Sequence, residues 1–533
     1  MQVAVAQLNL TVGALEDNAR RLLEAWHVAQ RAGARITLSP ELSLCGYAPR
    51  DLLLRKVFYD DCARVLRILA AEVHEGALIV GFPEWDDGAR YNALALLRKG
   101  KIQKIYRKQM LRASEIRYFN KGKTNIDFKE GDVRFALLCG DDVAQMVTKP
   151  PVFKETPQCA LVADARAYQM DDETVQWQWY AERAQQWQMP IIAAQAVGGQ
   201  DSQVFMGAST VVGDDGQLIQ KLPAWSESVA LVRVKQGKPE ARSNFSEEPP
   251  EFHVYQALTL ALRDYARKNK FPGVMLGLSG GIDSALALAL AVDAVGADRV
   301  HAYCLPSPYT SRMSVTDAQK ITELTGVSLE TIALKPLMKA MDQALEPVFD
   351  KPAADLTAQN IQARLRAILL MALSNQNHWL LLTTGNKSET ATGYATLYGD
   401  MAGGFAPLKD LTKGWIYRLA HYRNSLGRVI PERVITRAPS AELKPNQTDQ
   451  DSLPPYETLD AIVEAYIERG EDANELLEQG FSARDINQVL SLLKSSEYKR
   501  AQAAVGPCIT AHAFDDDWRY PLTSAWRENI KNQ

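Results

Sequence analysis

Short apolar segments with alternating or β-branched residues recur through the first 235 residues, and this pattern predicts a strand-rich domain. Helical stretches lie between them, for example LEDNARRLLEAWHVAQRAG and VQWQWYAERAQQWQ. In YNALALLRKGKIQKIYRK, Gly100 stands where a hairpin would turn. The predicted strands are 2–10, 34–42, 77–85, 91–100, 101–109, 133–141, 159–167, 190–198, 209–214 and 229–237. We therefore expect a layered α/β domain over residues 1–235.

The pattern changes after a polar, proline-containing segment, QGKPEARSNFSEEPPEF, which predicts a linker over residues 236–252. From residue 253 to 533, longer helices alternate with single short strands, and residues 455–504 are mostly helical in pattern. The predicted strands are VMLGL, RVHAYCLP, SLETIAL and WLLLTTG. Such alternation predicts a doubly wound parallel sheet that binds its ligands at the carboxyl ends of the strands.

Composition narrows the function classes. Hydrophobic residues make up 46% and charged residues 23%, and the formal net charge is −4, which argues against a broad nucleic-acid-binding surface. No apolar run is long enough to cross a membrane, and MQVAVAQLNLTVG predicts a first strand and not a signal peptide. The six cysteines lack C-x-x-C spacing, which favours a reducing, cytoplasmic location over disulfides or zinc.

A glycine-rich turn, SGGIDS, joins a predicted strand to an apolar helix, as phosphate-binding loops do. It lacks the lysine of the Walker pattern and carries Asp283 instead. A carboxylate would repel bare phosphate, but Mg²⁺ accepts carboxylates together with phosphate oxygens. We therefore predict a phosphate site with a Mg²⁺ ligand at Asp283; a glycine turn with a capping aspartate is the weaker alternative.

Polar residues downstream complete this candidate site. On a predicted helix over 355–373, Asn360 and Arg364 share a face, as do Gln362 and Arg366. The segment TGNKSETATGYATLYGDM then follows the last predicted strand. Its carboxylates and lysines would supply a second metal ligand and phosphate-facing cations. These residues are Lys387, Glu389, Asp400 and Lys413.

The SGGIDS loop resembles the pyrophosphate loop of the ATP-pyrophosphatases, which cleave ATP to AMP and pyrophosphate. The motifs NIQARLR, TGNKSE, GYATLYGDM, DQDSLPPY and SEYKRAQ resemble the NAD synthetases within that class, from about residue 255 onward. The resemblance implies a Rossmann-like fold and an ATP site at Gly277, Leu278, Ser279, Gly280, Gly281, Ile282, Asp283, Ser284 and Thr384. It implies deamido-NAD contacts at Asn360, Glu389, Lys499, Asp400 and Lys413, and Mg²⁺ at Asp283 and Glu389.

The first half contains a candidate nucleophile, Cys139, with a carboxylate, Glu41, and a cation, Lys108. Together they suffice for amide hydrolysis through a thioester, although each alone has an ordinary structural interpretation. Their contexts resemble the nitrilase (carbon–nitrogen hydrolase) superfamily over residues 1–235. That resemblance implies an α-β-β-α sandwich, a Glu-Lys-Cys site that releases ammonia from glutamine, and a supporting Glu115.

Three features differ from the superfamily pattern. Gly140 stands where C-E-D motifs have glutamate, the loop after Lys108 is short, and Asp164-Ala165-Arg166-Ala167-Tyr168 replaces N-A-S-P-Y. These changes leave an alternative open, an ammonia-dependent synthetase with a weakened or altered amidase half.

A third hypothesis makes the first half a non-catalytic module that builds a homo-oligomer. Thiol alkylation separates the hypotheses, since a functional Cys139 near Lys108 is expected to form a thiolate and to react first. On either enzymatic hypothesis the expected small-molecule partners are deamido-NAD, ATP and, for the two-site enzyme, glutamine.

Overall fold

A computed structural model describes residues 1–145, 151–170, 172–240, 248–349, 355–445, 447–515, 517–526 and 528. Its contacts divide the chain into two compact units, Met1–Glu248 and Pro249–Gln533. Of the predicted linker 236–252, residues 241–247 lie outside the described residues, and a helix begins at Pro250.

In the described part of the first unit there are fifteen strands and four α-helices. The strands are β1 (Gln2–Gln7), β2 (Ile36–Leu38), β3 (Ala77–Asp86), β4 (Ala89–Arg98), β5 (Lys101–Arg107), β6 (Ile126–Glu130), β7 (Val133–Cys139), β8 (Cys159–Asp164), β9 (Ile191–Gln195), β10 (Val197–Gln200), β11 (Gln203–Met206), β12 (Thr210–Val212), β13 (Leu218–Lys221), β14 (Ser228–Lys235) and β15 (Lys238–Pro239). The helices are α1 (Leu15–Arg31), α2 (Lys56–Glu72), α3 (Gly140–Gln145) and α4 (Asp172–Trp187).

Two sheets form the centre of this unit. One has the order β15-β14-β1-β2-β3-β4-β5 and the other β13-β12-β9-β8-β7-β6. Alternate residues of β1 face different layers: Val3 and Val5 pack between the sheets, and Ala6 packs beneath α1 and α2. Because α3 and α4 contact the second sheet, the layers follow the predicted α-β-β-α order.

The second unit contains four strands and twelve α-helices among its described residues. The strands are β16 (Val274–Gly277), β17 (Val300–Cys304), β18 (Ser328–Thr331) and β19 (Leu380–Leu382). The helices are α5 (Pro250–Lys268), α6 (Ile282–Val295), α7 (Arg312–Thr325), α8 (Lys335–Leu345), α9 (Asp355–Asn377), α10 (Lys387–Thr392), α11 (Lys413–Leu426), α12 (Glu432–Thr436), α13 (Tyr456–Val463), α14 (Ala473–Glu478), α15 (Ala483–Ser495) and α16 (Glu497–Arg500).

The four strands pair in parallel in the order β18-β17-β16-β19, so the chain reverses direction across the sheet between β16 and β19. This is the doubly wound arrangement that the sequence predicts, and it opens a crevice at the carboxyl ends of β16 and β19. The helices after Pro455 pack into a separate apolar cluster around Leu459, Ile486 and Val489. Across the described residues, no helix has the length and apolar character needed to cross a membrane.

Candidate active sites

In the first unit, Lys108 lies at the centre of a buried group of carboxylates. Its Nζ is 2.7 Å from Oε1 of Glu41, 2.8 Å from Oε2 of Glu115 and 2.5 Å from Oδ2 of Asp141. The side chain of Lys108 is fully buried. Hydrogen bonds to Glu41 and Glu115, with the charge of Asp141 close by, therefore fix the position of the ammonium.

Neighbouring strand ends bring these groups together. Glu41 follows β2, and Lys108 is the first residue after β5. Between them, Asn92 of β4 donates from Nδ2 to Oε1 of Glu41 at 2.5 Å and to Oε1 of Glu115 at 3.0 Å. The second oxygen of Glu41, Oε2, is buried without a hydrogen-bond partner among the described residues. One carboxylate oxygen is thus held in place while the other can accept a proton.

Cys139 is the last residue of β7 and is fully buried. Its backbone N–H donates to Oδ2 of Asp142 at 3.0 Å. Oδ1 of Asp142 accepts from the N–H groups of Gln109 and Met110, at 3.0 and 2.8 Å. Asp142 therefore ties the segment that carries Lys108 to the turn that carries Cys139.

Burial and charge set the protonation states at this site. Burial raises the pKa of Glu41 to about 8, although the positive charge of Lys108 opposes the shift. Burial would also raise the pKa of Asp141, but Arg112 and Lys108 outweigh it and lower that pKa to about 2. Burial, and then the charge of Glu41, raise the pKa of the Cys139 thiol well above its usual range.

Burial therefore disfavours the expected ready thiolate at Cys139 in the resting site. Its thiol is buried beside carboxylates, so a base must take its proton during the reaction. That Cys139 is alkylated before the other cysteines stays a prediction. Among the six cysteines, only Cys508 is even partly exposed, so access to reagent favours that residue.

The residues that differ from the superfamily pattern contact one another. A Cβ atom at Gly140 would overlap the carboxylate of Asp164. That carboxylate accepts hydrogen bonds from the backbone N–H of Ala165 at 2.8 Å, from Nε2 of Gln195 at 3.0 Å and from the hydroxyl of Tyr180 at 2.5 Å. Because these hydrogen bonds hold the Asp164 carboxylate in place, position 140 has no room for a side chain.

In the second unit, the predicted phosphate loop connects β16 to α6. Its backbone is stabilised within the loop: Ser279 N–H donates to Oγ of Ser284 at 3.2 Å, and Gly281 N–H donates to Oγ of Ser279 at 3.2 Å. Gly280 has φ +81°, and a Cβ there would overlap the carbonyl oxygen of Ser314. Only glycine meets both requirements.

Asp283 and Glu389 share one cation. Nζ of Lys413 lies 2.7 Å from Oδ2 of Asp283 and 3.4 Å from Oε1 of Glu389. Asn386 donates to Oδ1 of Asp283 at 2.8 Å and, as the N-cap of α10, accepts from the N–H of Glu389. Two carboxylates that converge on one ammonium can also converge on a metal ion, so the donor set fits Mg²⁺ together with phosphate oxygens.

Burial and the neighbouring charges shift the pKa values of Glu389 and Lys413. Burial and Asp283 raise the pKa of Glu389 to about 8, against the opposing charge of Lys413. Burial disfavours the charged form of Lys413, but the two carboxylates outweigh it and raise its pKa.

The other predicted dinucleotide contacts meet at residues 393–396. Thr396 donates from Oγ1 to Oδ1 of Asn360 at 3.1 Å and from N to Oδ1 of Asp400 at 2.7 Å. Nζ of Lys499 donates to the carbonyl oxygens of Gly393 and Ala395, both at 2.7 Å. Three residues from distant parts of the sequence therefore surround one short loop.

A cavity of about 340 Å³ joins both groups of residues. It is lined by all eight residues 277–284, Thr384, Glu389, Asp400, Lys413 and Lys499. Asn360 is not in its lining and reaches it through Thr396.

Lys387 does not face a phosphate site, contrary to the expectation from its motif. Its Nζ bonds to Oδ1 of Asp410 at 2.9 Å, to Oγ1 of Thr510 at 2.7 Å and to Glu468. The side chain is only 1% exposed. It belongs to the interior behind the cavity.

Several site residues were not predicted from the sequence. In the first unit these are Asn92, Arg112 and Asp141; in the second they are Asn386, Arg437 and Asp449. Asn92 offered a signal in the sequence, because it is a single amide directly before the apolar run ALALL. Of the remaining residues, Asp141 lies in α3 and Asp449 in a short 3-10 helix, and the others lie in loops, where polar side chains carry little information.

The two sites define a protein that combines an amide-hydrolysing unit with a nucleotide-binding synthetase unit. Residues 2–241 match the carbon-nitrogen hydrolase family, and residues 254–503 match the NAD synthase family. The α-β-β-α sandwich and the parallel doubly wound sheet predicted from the sequence are both confirmed.

Relatives match over almost the whole chain. The glutamine-dependent NAD(+) synthetase of Acinetobacter baylyi is 39% identical over 99% of both chains. That of Thermotoga maritima is 36% identical over 99% of this chain and 100% of its own. The chain belongs to the family of glutamine-dependent NAD(+) synthetases.

Solved structures agree with this assignment. The glutamine-dependent NAD+ synthetase of Acinetobacter baumannii, solved in complex with ADP, is 36% identical with a TM-score of 0.78 and 99% coverage of both chains. A Cytophaga hutchinsonii synthetase has a TM-score of 0.86 at 20% identity over 98% of both chains, which shows the shared fold.

Proposed function

We propose that this chain makes NAD from deamido-NAD, ATP and glutamine at two separate sites. The observation that carries the proposal is the pairing of two sites in one chain. The first is a buried cysteine beside a lysine fixed by three carboxylates. The second is a glycine-rich loop that lines a nucleotide-sized cavity.

In the first unit, Glu41 takes the proton of the Cys139 thiol, and Sγ attacks the amide carbon of glutamine. Lys108 stabilises the negative charge that develops on the amide oxygen. The C–N bond breaks, ammonia leaves with a proton returned by Glu41, and water hydrolyses the thioester to glutamate. Glu115 and Asn92 position Lys108 and Glu41 through the contacts given above.

In the second unit, the nicotinate carboxylate of deamido-NAD attacks the α-phosphorus of ATP, and pyrophosphate leaves. Ammonia then attacks the activated carbonyl carbon and AMP leaves, which forms the carboxamide of NAD. The loop 277–284 binds the phosphates through its backbone N–H groups and the start of α6. We assign Thr384 to ATP binding and Glu389, Asp400, Lys413 and Lys499 to dinucleotide binding, with Asn360 acting through Thr396.

Asp283 and Glu389 would hold Mg²⁺, which would neutralise charge on the departing pyrophosphate. Lys413 bridges the same two carboxylates. It is therefore placed to turn toward a phosphate oxygen when a metal ion takes over the carboxylates. We also propose that the protein forms a homo-oligomer in the cytoplasm.

A second candidate function is ammonia-dependent NAD synthesis with an altered amidase unit. The altered stretch 164–168 and the short loop after Lys108 favour it, because Arg166 stands where the superfamily pattern has serine and lies 3.7 Å from Asp141.

Replacement of Cys139 by alanine separates the two candidates. For the two-site enzyme, Cys139→Ala abolishes NAD formation from glutamine and preserves it from ammonium, whereas Asp283→Asn reduces both. If Cys139→Ala leaves glutamine-driven synthesis unchanged, the two-site function is wrong. If the wild type uses ammonium alone, the second candidate is favoured.

A further inference from the structure

Arg166 is the least engaged cation of the amidase site. Its side chain is 19% exposed, and Nη2 lies 3.7 Å from Oδ1 of Asp141, too far for a hydrogen bond. Within the described part of the chain, this is its only carboxylate within salt-bridge distance. The guanidinium lies over the ring of Trp179, 4.1 Å from its centroid. Such stacking fixes the plane of the group and leaves its N–H edges available.

Arg112, by contrast, donates its hydrogen bonds to groups of the protein. Its Nε donates to Oδ1 of Asp141 at 2.9 Å, and Nη1 donates to Tyr47 and to the carbonyl of Ala165, both at 3.1 Å. Nη2 lies 3.5 Å from Asp164. Of the two arginines at the site, Arg166 is therefore the one with donors to spare.

Arg166 lies at a defined position relative to the reacting groups. The Asp141 carboxylate is between the two cations: Oδ1 faces Arg166, and Oδ2 lies 2.5 Å from Nζ of Lys108. Lys108 is fully buried, whereas Arg166 is partly exposed, so Arg166 is on the solvent side of the cluster. In glutamine, three carbon atoms separate the amide from the α-carboxylate. A glutamine whose amide oxygen meets Lys108 can thus place its carboxylate at Arg166.

We propose that Arg166 binds the α-carboxylate of the amide donor and thereby selects amides that carry a carboxylate over neutral ones. The proposal rests on the proposed glutaminase function and adds the group that recognises its substrate. A planar guanidinium can bind a carboxylate through two parallel hydrogen bonds. Because the superfamily pattern has serine here, this recognition belongs to the particular sequence of this chain.

Hydrolysis of matched amides by the full-length enzyme tests the proposal. Ammonia release is measured with glutamine, with glutaramate, which keeps the carboxylate but lacks the amino group, and with butyramide, which lacks both. Arg166→Gln is expected to lower kcat/KM for glutamine and glutaramate about 10- to 100-fold, mainly through KM. Butyramide hydrolysis and ammonium-driven NAD formation are expected to stay unchanged.

Two further variants sharpen the comparison. Arg166→Lys keeps the charge and is expected to recover part of the glutamine affinity. Arg117→Gln is the matched control, since Arg117 also has a carboxylate neighbour, Asp51 at 3.3 Å, and an aromatic neighbour, Tyr118. It is expected to leave all three amides unaffected.

Two results would overturn the assignment of Arg166. An equal loss for glutamine and butyramide would mean that it only positions Asp141, and unchanged kinetics would mean that it does not meet the donor. A wild-type enzyme that releases no ammonia from glutamine, yet makes NAD from ammonium, would instead refute the proposed glutaminase function, and the assignment would fall with it.

Discussion

At the scale of single residues, the amidase site depends on where protons reside. Glu41 is buried next to Lys108 and has one oxygen free to accept a proton. Cys139 is buried and burial raises the pKa of its thiol, so the proposed reaction begins with transfer of its proton to Glu41. The protonation state of Glu41 before the reaction therefore controls the rate.

The pH dependence of glutamine hydrolysis tests this role. Burial raises the pKa of Glu41 from 4.5 to about 8, and only the ionised form is a base. We expect kcat/KM to rise about tenfold per pH unit below that pKa and to level off above it. Glutamate release is the measurement, because it does not depend on the titration of ammonia. Glu41→Gln is expected to remove the activity, and a profile that is flat from pH 6 to 8 would contradict the assignment.

A second prediction concerns the pair Gly140 and Asp164, whose side-chain volumes are coupled. Gly140→Ala is expected to destabilise the protein by about 1–3 kcal/mol, because the Asp164 carboxylate is held in place and cannot yield. Asp164→Ala removes that obstacle at the expense of its own hydrogen bonds. In the double variant the two losses are expected to be less than additive, by about 1 kcal/mol or more. Urea unfolding of the four proteins measures the coupling, and simple additivity would contradict it.

At the scale of elements, α10 presents Glu389 to the synthetase cavity, and a buried ion cluster holds the first residue of this helix. Lys387, its first residue, bonds to Asp410 and Glu468, while Asp410 accepts from the N–H groups of Ile509 and Thr510 at 2.7 and 2.8 Å. The cluster thus joins α10 to a segment more than a hundred residues later in the chain. It also fixes the direction in which α10 presents Glu389 to the cavity.

Loss of the buried ammonium tests this connection. Lys387→Met is expected to destabilise the second unit by about 3–5 kcal/mol, because Asp410 would remain buried and unpaired. The matched control is Lys320→Met, whose partner Glu323 at 2.9 Å is exposed, with an expected change below about 0.5 kcal/mol. Thermal unfolding, followed by circular dichroism, gives the Tm of both variants. Equal, small shifts in Tm would show that the cluster contributes little.

Sequence patterns predicted the strands well where an apolar run is continuously buried. The predicted strands at 77–85 and 91–100, and the hairpin turning at Gly100, are present as expected. The strand Ile126–Glu130 was not predicted, because its charged residues hide its alternation. The helix Lys56–Glu72 was not singled out either.

Most of the predicted site residues also come together in the structure. Glu41, Lys108 and Glu115 are brought together as a set, and the loop 277–284 borders one cavity with Glu389 and Lys413. The interior position of Lys387 could not be predicted, since it depends on Thr510 and Glu468, far away in the sequence. The buried thiol of Cys139 was missed for the same reason: the packing around it decides its pKa.

At the scale of the whole molecule, two complete sets of chemical groups lie in two compact units of one chain. One set is suited to release ammonia from an amide, and the other to activate a carboxylate with ATP. Free ammonia is mostly protonated near neutral pH, so an enzyme that releases it where it is used gains a better nucleophile. We propose, as the central claim, that the carboxamide nitrogen of NAD comes from glutamine and is released at Cys139.

Transfer of isotope tests that claim most directly. The wild-type enzyme is given deamido-NAD, ATP, Mg²⁺ and glutamine labelled with ¹⁵N in the amide, in the presence of unlabelled ammonium, and the mass of the NAD formed is measured. We expect ¹⁵N in the carboxamide of NAD from the wild type, and unlabelled NAD from Cys139→Ala. Labelled NAD from Cys139→Ala, or unlabelled NAD from the wild type, would contradict it.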